Sequence, residues 1–389
     1  VFAIEVDAVF DGERYSGDGA VVIVDDGRIA GVEPRGTALS CEVTRFEGCT
    51  LLPGLIDTHV HLCCDSGPGA LDRIPNFSDA ELVTVIENSL KAQLASGVTT
   101  VRDLGDRSFA VVDWRSGDSS FPTVVASGPP ITIPQGHCWN MGGAVRGADE
   151  LRRAVAERAE RGADLVKVMA SGGANTPGTD PAVVQFSAEE ILVVVDESHA
   201  RGLPVTAHAH SLESIKNSLS AGVDSIEHCS FITTNGVDLD ESVVADLITS
   251  RTTVCPTLGI VPGAHPPPAV LEMLRRTGTT YEARTHLFAG LHESGVRLVS
   301  GSDGGINPGK AHGILPEAVI GLVQGGVSPE AALTTATSTA ATTCGLTTKG
   351  RVLAGFDADL LIIQSNPTAD ITRLRSPQAL YLQGNRVDF

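Results

Sequence analysis

The sequence predicts an α/β fold, a (β/α)8 TIM-like barrel over residues 54–345 with a small β-sandwich domain built from both chain termini, 1–53 and 346–389. Three observations carry this. Eight strand-like runs alternate with amphipathic helical patterns through the middle of the chain, the alternation of a parallel barrel. Both ends read as strand, turn, strand, and neither has enough strands for a stable sheet of its own. A doubly wound open sheet usually shows a Gly-rich dinucleotide turn after its first strand, and none follows here.

The first 50 residues hold three strand-like stretches, AIEVDAVFDG, AVVIVDDGRIAGVE and TRFEGCTLLPG, with hairpin signals at Asp11-Gly12 and Asp26-Gly27. The central strand candidates are IDTHVHL, TTVRDLG, TVVASG, DLVKVMASGG, PVTAHAH, VDSIEHC, TTVCPTL and VRLVSGSDGG. Helical patterns lie between most of them: DAELVTVIENSLKAQLASG, ADELRRAVAERAERG, SAEEILVVVDESHARG, SLESIKNSLSAG and ESVVADLITSR. Ser78, Ser187 and Ser211 are placed to cap helix N-termini, and Gly97, Gly162, Gly202 and Gly222 to end helices. The C-terminal KGRVLAGFDADLLIIQSNP and ALYLQGNRVDF again read as strands, able to pair with those of the N-terminus.

Composition sets the bounds. A chain of 389 residues can bury a large core, and 42% hydrophobic with 19% charged residues marks a globular, ordered protein. A net charge of −19 argues against nucleic acid and anionic membrane as partners and says little about a small-molecule substrate, whose site can have a different local field. Eight scattered cysteines with no CxxC pair read as buried free thiols in a reducing compartment. There is no apolar run of 18 residues and the opening VFAIEVDAVFDGERYSG lacks a signal-peptide pattern, so cytoplasm is the expected location.

The stretch LLPGLIDTHVHL places His59 and His61 two residues apart, on one side of a strand. Two imidazoles so placed reach one transition-metal ion. In a (β/α)8 barrel the active site lies at the C-terminal strand ends. Those ends supply Lys167, His208, His228 and Asp303 as well. Lys167 is one of five lysines and sits inside LVKVMA, where a free ammonium is costly to bury. Two readings follow for it: a buried ion pair or substrate-binding cation, or a deprotonated amine that takes up CO2 as a carbamate able to bridge two metals. In TAHAH, His208 and His210 share a face, and geometry alone does not choose the ligand.

The loop QGHCWNMGG after the third strand offers His137, Trp139 and Asn140 as substrate contacts. Asn175, in SGGANTPGTDP, suits turn formation more than substrate contact. Arg102 and Asp103 end the second strand and can pair with each other, and His312 either faces the mouth or caps the surface. His199 and His292 sit near helix C-termini, a structural placement, and Cys63 and Cys64 read as packing.

The motifs LPGLIDTHVHL, VKVMASGG, VTAHAH, SIEHC and GSDGG, with the flanking GFDADLLII, resemble the amidohydrolase superfamily of metal-dependent hydrolases, in its prolidase-like and imidazolonepropionase-like subgroup. The resemblance spans essentially the whole chain. It implies that His59, His61 and Asp303 hold one divalent metal, that His208 and His228 hold a second, and that carbamylated Lys167 bridges them. The family pattern favours His208 over His210 as ligand, which leaves His210 for substrate binding or for supporting the ligands. Zinc is the expected metal; Mn, Fe and Co suit the same donors. Two such ions about 3.5–4 Å apart hold a bridging hydroxide. Asp303 then serves as general base and general acid, and His228 or His137 stabilises the oxyanion. The expected reaction is C–N hydrolysis in a dipeptide, N-acyl amino acid or cyclic amide. The alternatives are an aryl-urea or carbamate hydrolase and an inactive binding barrel. Self-association into a homo-oligomer is expected by analogy.

Overall fold

A computed structural model describes residues 1–115 and 120–388. Strands of the first 53 residues are β1 (Phe2–Phe10), β2 (Tyr15–Ser16), β3 (Ala20–Asp25), β4 (Arg28–Pro34) and β5 (Glu42–Pro53). The central strands are β6 (Leu55–Val60), β7 (Val98–Asp103), β8 (Thr123–Ala126), β9 (Val166–Met169), β10 (Val205–Ser211), β11 (Ser225–Thr233), β12 (Gly236–Val237) and β13 (Thr253–Cys255). The chain ends on β14 (Leu360–Gln364), β15 (Pro377–Leu382) and β16 (Asn385–Val387).

Both termini share one sheet in the order β16-β15-β14-β5-β1-β3-β4, with β2 paired to β1. The Asp26-Gly27 turn joins β3 to β4 directly, with Asp25 opposite Arg28 and positive φ at both turn residues (45° and 75°). That is the conformation an Asp-Gly hairpin turn requires. This turn also meets the distant Gln383-Gly384 turn: Ala358 N donates to Gly27 O at 2.8 Å and Gly384 N to Ala358 O at 2.9 Å. The sheet therefore curls until its two ends meet. One face packs Ile4, Val22, Leu51, Leu360 and Tyr381 into a cluster of its own. The other sends Phe10, Leu52, Leu361 and Leu380 into the main core.

The central strands pair in parallel. β6-β7-β8 form one run and β9-β10-β11-β13 another, with β12 antiparallel to β11. Isolated parallel bridges join the runs: Ile131 with Val168, Val254 with Leu298, and Val60 with Gly304. Neighbour order thus returns from the segment 298–304 to β6. The eighth expected strand, VRLVSGSDGG, forms only these bridges rather than a regular ladder. Left-handed Asp303 (φ 57°) interrupts its pleat. A Cβ on Gly301 would stand 2.6 Å from Cys255 Sγ and 2.7 Å from His59 Cβ, so only glycine allows this approach.

The helices follow the expected punctuation. Ser78 and Ser187 close capping boxes with Glu81 and Glu190, and Ser211 accepts from Ser214 N. Gly222 ends its helix in the left-handed conformation at φ 82°. No helix among the described residues is long and apolar enough to cross a membrane. The eight cysteines are unpaired, and Cys63 and Cys64 are fully buried.

Candidate metal centre and cleft

The opening histidine pair stands at the end of β6, beside the segment that carries Asp303. His59 Nδ1 meets Glu227 Oε2 at 2.8 Å, and His61 Nδ1 meets Gly105 O at 3.0 Å. With Nδ1 engaged on each ring, both Nε2 atoms turn to Asp303 Oδ1, at 3.4 Å each. This is the arrangement in which an outer partner fixes a ligand imidazole. The ligand atoms of His59, His61 and Asp303 all lie within 4.8 Å of one another. Burial, with the nearby Lys167 charge, lowers the His59 pKa to about 4. Burial opposes ionisation of Asp303, but His59 and His61 outweigh it and hold the carboxyl well below the usual range.

His208, His210 and His228 form a second group within the same 4.8 Å limit. Their ring centroids are 4.4–4.7 Å apart, and His59 lies 5.3 Å from His228. The structure brings His208 and His210 together equally. His210 Nδ1 contacts Ser230 Oγ at 2.9 Å, while His208 Nε2 lies 3.0 Å from Gly172 O. His228 Nδ1 contacts Thr257 Oγ1 at 2.8 Å. Burial and the neighbouring imidazoles push His208 and His228 well below the ordinary histidine pKa. Consecutive strand residues normally face opposite sides. Left-handed backbone at His228 (φ 69°) breaks that alternation, so Glu227 and His228 both serve the site. Thr257 (φ 50°) and Asp303 share this rare conformation, and such strain clusters at functional sites.

Lys167 is fully buried, and its Nζ has no hydrogen-bond partner. Burial lowers its pKa although Glu227 opposes the shift, which favours the neutral amine. It lies within electrostatic reach of imidazoles of both groups, His59, His208 and His228. Three donors on one side, imidazoles on the other and an orphaned amine near both fit divalent metal of the zinc class. All six residues line one cleft of about 1080 Å³, open mouth included, together with His137 and His210. His137 Nδ1 is 2.8 Å from Thr176 Oγ1, and its ring lies 4.6 Å from His208.

Several expected placements change. Trp139 and Asn140 are not among the cleft-lining residues. Their 3-10 turn points away, leaving Trp139 49% exposed and Asn140 Nδ2 donating to Leu71 O at 2.8 Å. Asn175 does line the cleft. Arg102 does not pair with Asp103, because adjacent strand residues face opposite sides. Instead Arg102 Nη2 donates to Glu227 Oε1 at 2.9 Å, and Asp103 accepts from Leu62 N at 2.7 Å. His312 is held by Cys64 O at 3.0 Å, a structural role.

Glu227 is the chief residue that sequence reasoning missed. Fully buried, it joins His59, Arg102 and Thr206, whose Oγ1 donates at 2.7 Å. Its only signal was position, directly before His228 in SIEHC. Glu227→Ala strands the buried Arg102 cation and is expected to destabilise the protein by about 3–5 kcal/mol. Urea denaturation measures this; a loss under ~1 kcal/mol would show that water or another group replaces the carboxylate.

A family model identifies the family, and similar proteins and a similar fold stand beside it. Residues 50–387 match the amidohydrolase family. Ochratoxinase from Aspergillus niger is 26% identical over 363 residues, covering 85% of this chain and 73% of that protein. Imidazolonepropionase from Ectopseudomonas mendocina is 26% identical over 411 residues, covering 93% and 91%. The crystal structure of a Xaa-Pro dipeptidase with bound methionine superposes with a TM-score of 0.87 at 24% identity, covering 100% of both chains.

Proposed function

The chain belongs to the amidohydrolase family, and on that premise we propose that it is a metal-dependent hydrolase of a C–N bond in a small amide-like molecule. The substrate is a dipeptide, an N-acyl amino acid or a cyclic amide. One observation carries the reading: two groups of ligand side chains and the unpartnered Lys167 Nζ share the lining of one cleft. The cyclic parallel strand order supports a (β/α)8 barrel over residues 54–345. The curled terminal sheet with its own apolar cluster supports a β-sandwich domain of 1–53 and 346–389.

His59, His61 and Asp303 would hold one divalent ion and His208 and His228 a second, with carbamylated Lys167 as a further ligand. Zinc is favoured, with Mn, Fe or Co compatible. Such ions polarise a carbonyl and lower the pKa of water toward neutrality. Asp303, held ionised, accepts the proton of the attacking water and returns it to the departing nitrogen. His228 or His137 would stabilise the developing oxyanion, and His210 would contact substrate. Unpaired cysteines fit a reducing, cytoplasmic setting, and self-association stays part of the reading.

The test is a panel of N-acyl amino acids, dipeptides and phenylureas, run on protein whose metal content has been measured. Turnover of the amides with bound transition metal is expected. Activity confined to the ureas would favour the urea or carbamate alternative. Protein that holds no transition metal after growth with zinc or manganese would favour a binding barrel.

A further inference from the structure

One cation in the cleft has hydrogen-bonding capacity that the fold does not use. Arg284, on the helix Tyr281–Glu293, lines the cleft beside Tyr281 and Lys310. Its Nη2 donates to Pro256 O at 3.0 Å, while its Nε is buried with no partner. Among the described residues no carboxylate forms an ion pair with it, although the chain carries 47 acidic residues. The neighbouring cation is saturated: Lys310 Nζ donates to Thr257 O at 2.6 Å, Ser302 O at 3.0 Å and Leu258 O at 3.4 Å. Three acceptors exhaust an ammonium, whereas a guanidinium has five N–H donors. A partly buried guanidinium without a counter-ion is costly, and an arriving anion removes that cost.

Arg284 is also within electrostatic reach of the chemistry. Its charge depresses His210, and Asp303 acts back on it. The adjoining wall is apolar, formed by Pro266, Val270, Met273 and Leu274 in and before the helix Pro268–Thr277. A ligand resting there needs an apolar body and an anionic end.

We propose that Arg284 receives the carboxylate of the substrate at its guanidinium, so that the cleft selects N-acyl amino acids and dipeptides with a free carboxylate and apolar side groups over uncharged amides and ureas. Arg284 is thus a specificity-determining residue, and the substrate class rests on the hydrolase reading given above.

The test separates binding from turnover. Isothermal titration of the metal-loaded full chain compares 3-phenylpropanoate with its neutral, uncleavable analogue 3-phenylpropan-1-ol. The acid is expected to bind wild type at least about tenfold more tightly, the discrimination of one charge-assisted pair. Arg284→Gln erases the preference, and Arg284→Lys, which keeps the charge and a donor for Pro256 O, retains part of it. The acid-to-alcohol ratio is taken within each variant, so a general loss of stability does not mimic the result. Equal binding, or no binding, of both probes to wild type overturns the proposal. So does a preference that survives in Arg284→Gln, which would belong to the metal centre. Alongside, kcat/KM is compared for N-acetyl-L-phenylalanine and its carboxamide. Turnover of both at equal efficiency removes the carboxylate selectivity and leaves the hydrolase reading standing. Acid-selective binding without any amide turnover does the reverse.

Discussion

Asp303→Asn is expected to lower kcat by about 10²–10⁴-fold, the usual worth of a positioned general acid–base group. Asparagine keeps the side-chain volume and an oxygen for the Nε2 atoms of His59 and His61, now 3.4 Å from Asp303 Oδ1. It loses the ability to take and return a proton. The fold has little else resting on this carboxylate. Asp303 N donates to His59 O at 2.8 Å through the backbone, and the carboxyl faces the two imidazoles rather than structural donors. The loss should therefore appear in kcat, with metal content and melting temperature close to wild type. Single-turnover kinetics paired with elemental analysis make the measurement. Near wild-type turnover would remove Asp303 from proton transfer. A protein stripped of metal would show instead that ligation is its chief role.

Local signals in this sequence translated into structure because each is satisfied within a few residues. Ser78 and Glu81, or Ser187 and Glu190, complete their capping boxes whatever the rest of the chain does. The Asp26-Gly27 turn fixes its hairpin by backbone conformation alone. The segment holding Leu298, Ser300 and Asp303 was harder. Its apolar alternation is that of a strand, yet Gly301 is there to let Cys255 and His59 approach, which is a tertiary demand. That the two chain ends share one sheet was legible only by elimination, since neither end could form a sheet alone.

The site divides in the same way. His59 and His61 are two apart on a strand, so their common direction is written in the spacing. Lys167 stood out by environment, a lysine in an apolar run. Glu227 and Arg284 gave no such sign. Glu227 takes its meaning from Arg102, Thr206 and His59, which come from three other strands or strand ends. It also depends on the left-handed turn at His228, which no residue pattern announces. Arg284 lies on a helix whose charged neighbours suggest an ordinary solvent face, and only the packing of that helix over the cleft gives it a role. Trp139 and Asn140 erred in the opposite sense. A Gly-rich loop after a strand invites substrate contact, but the turn itself decides which side chains look inward.

Lys167→Met gives the other large effect, and the two readings of this lysine oppose each other in it. Methionine nearly preserves the volume of the stem and removes the nitrogen. Were Lys167 a structural cation, the change would strip a buried charge pair and cost about 3–5 kcal/mol. Its Nζ, however, makes no hydrogen bond, and burial already favours the neutral amine. Removing an unsatisfied buried polar group relieves its desolvation cost. The metal-free variant should therefore melt no lower than metal-free wild type, and even above it. The loaded protein should behave otherwise. On the proposed bridging role, loss of Lys167 leaves the two ligand groups as separate sites, and metal content is expected to fall from about two equivalents to one or fewer. Turnover should fall with it by about 10²-fold or more. Wild type stripped and reloaded in CO2-free buffer should show the same deficit, repaired by bicarbonate, because a carbamate forms only from the amine and CO2. A Lys167→Met protein that binds its full metal complement and turns over normally would end the bridging assignment. A marked drop in metal-free stability would return Lys167 to the role of a buried counter-ion for Glu227, whose charge opposes the burial-driven fall in the lysine's pKa.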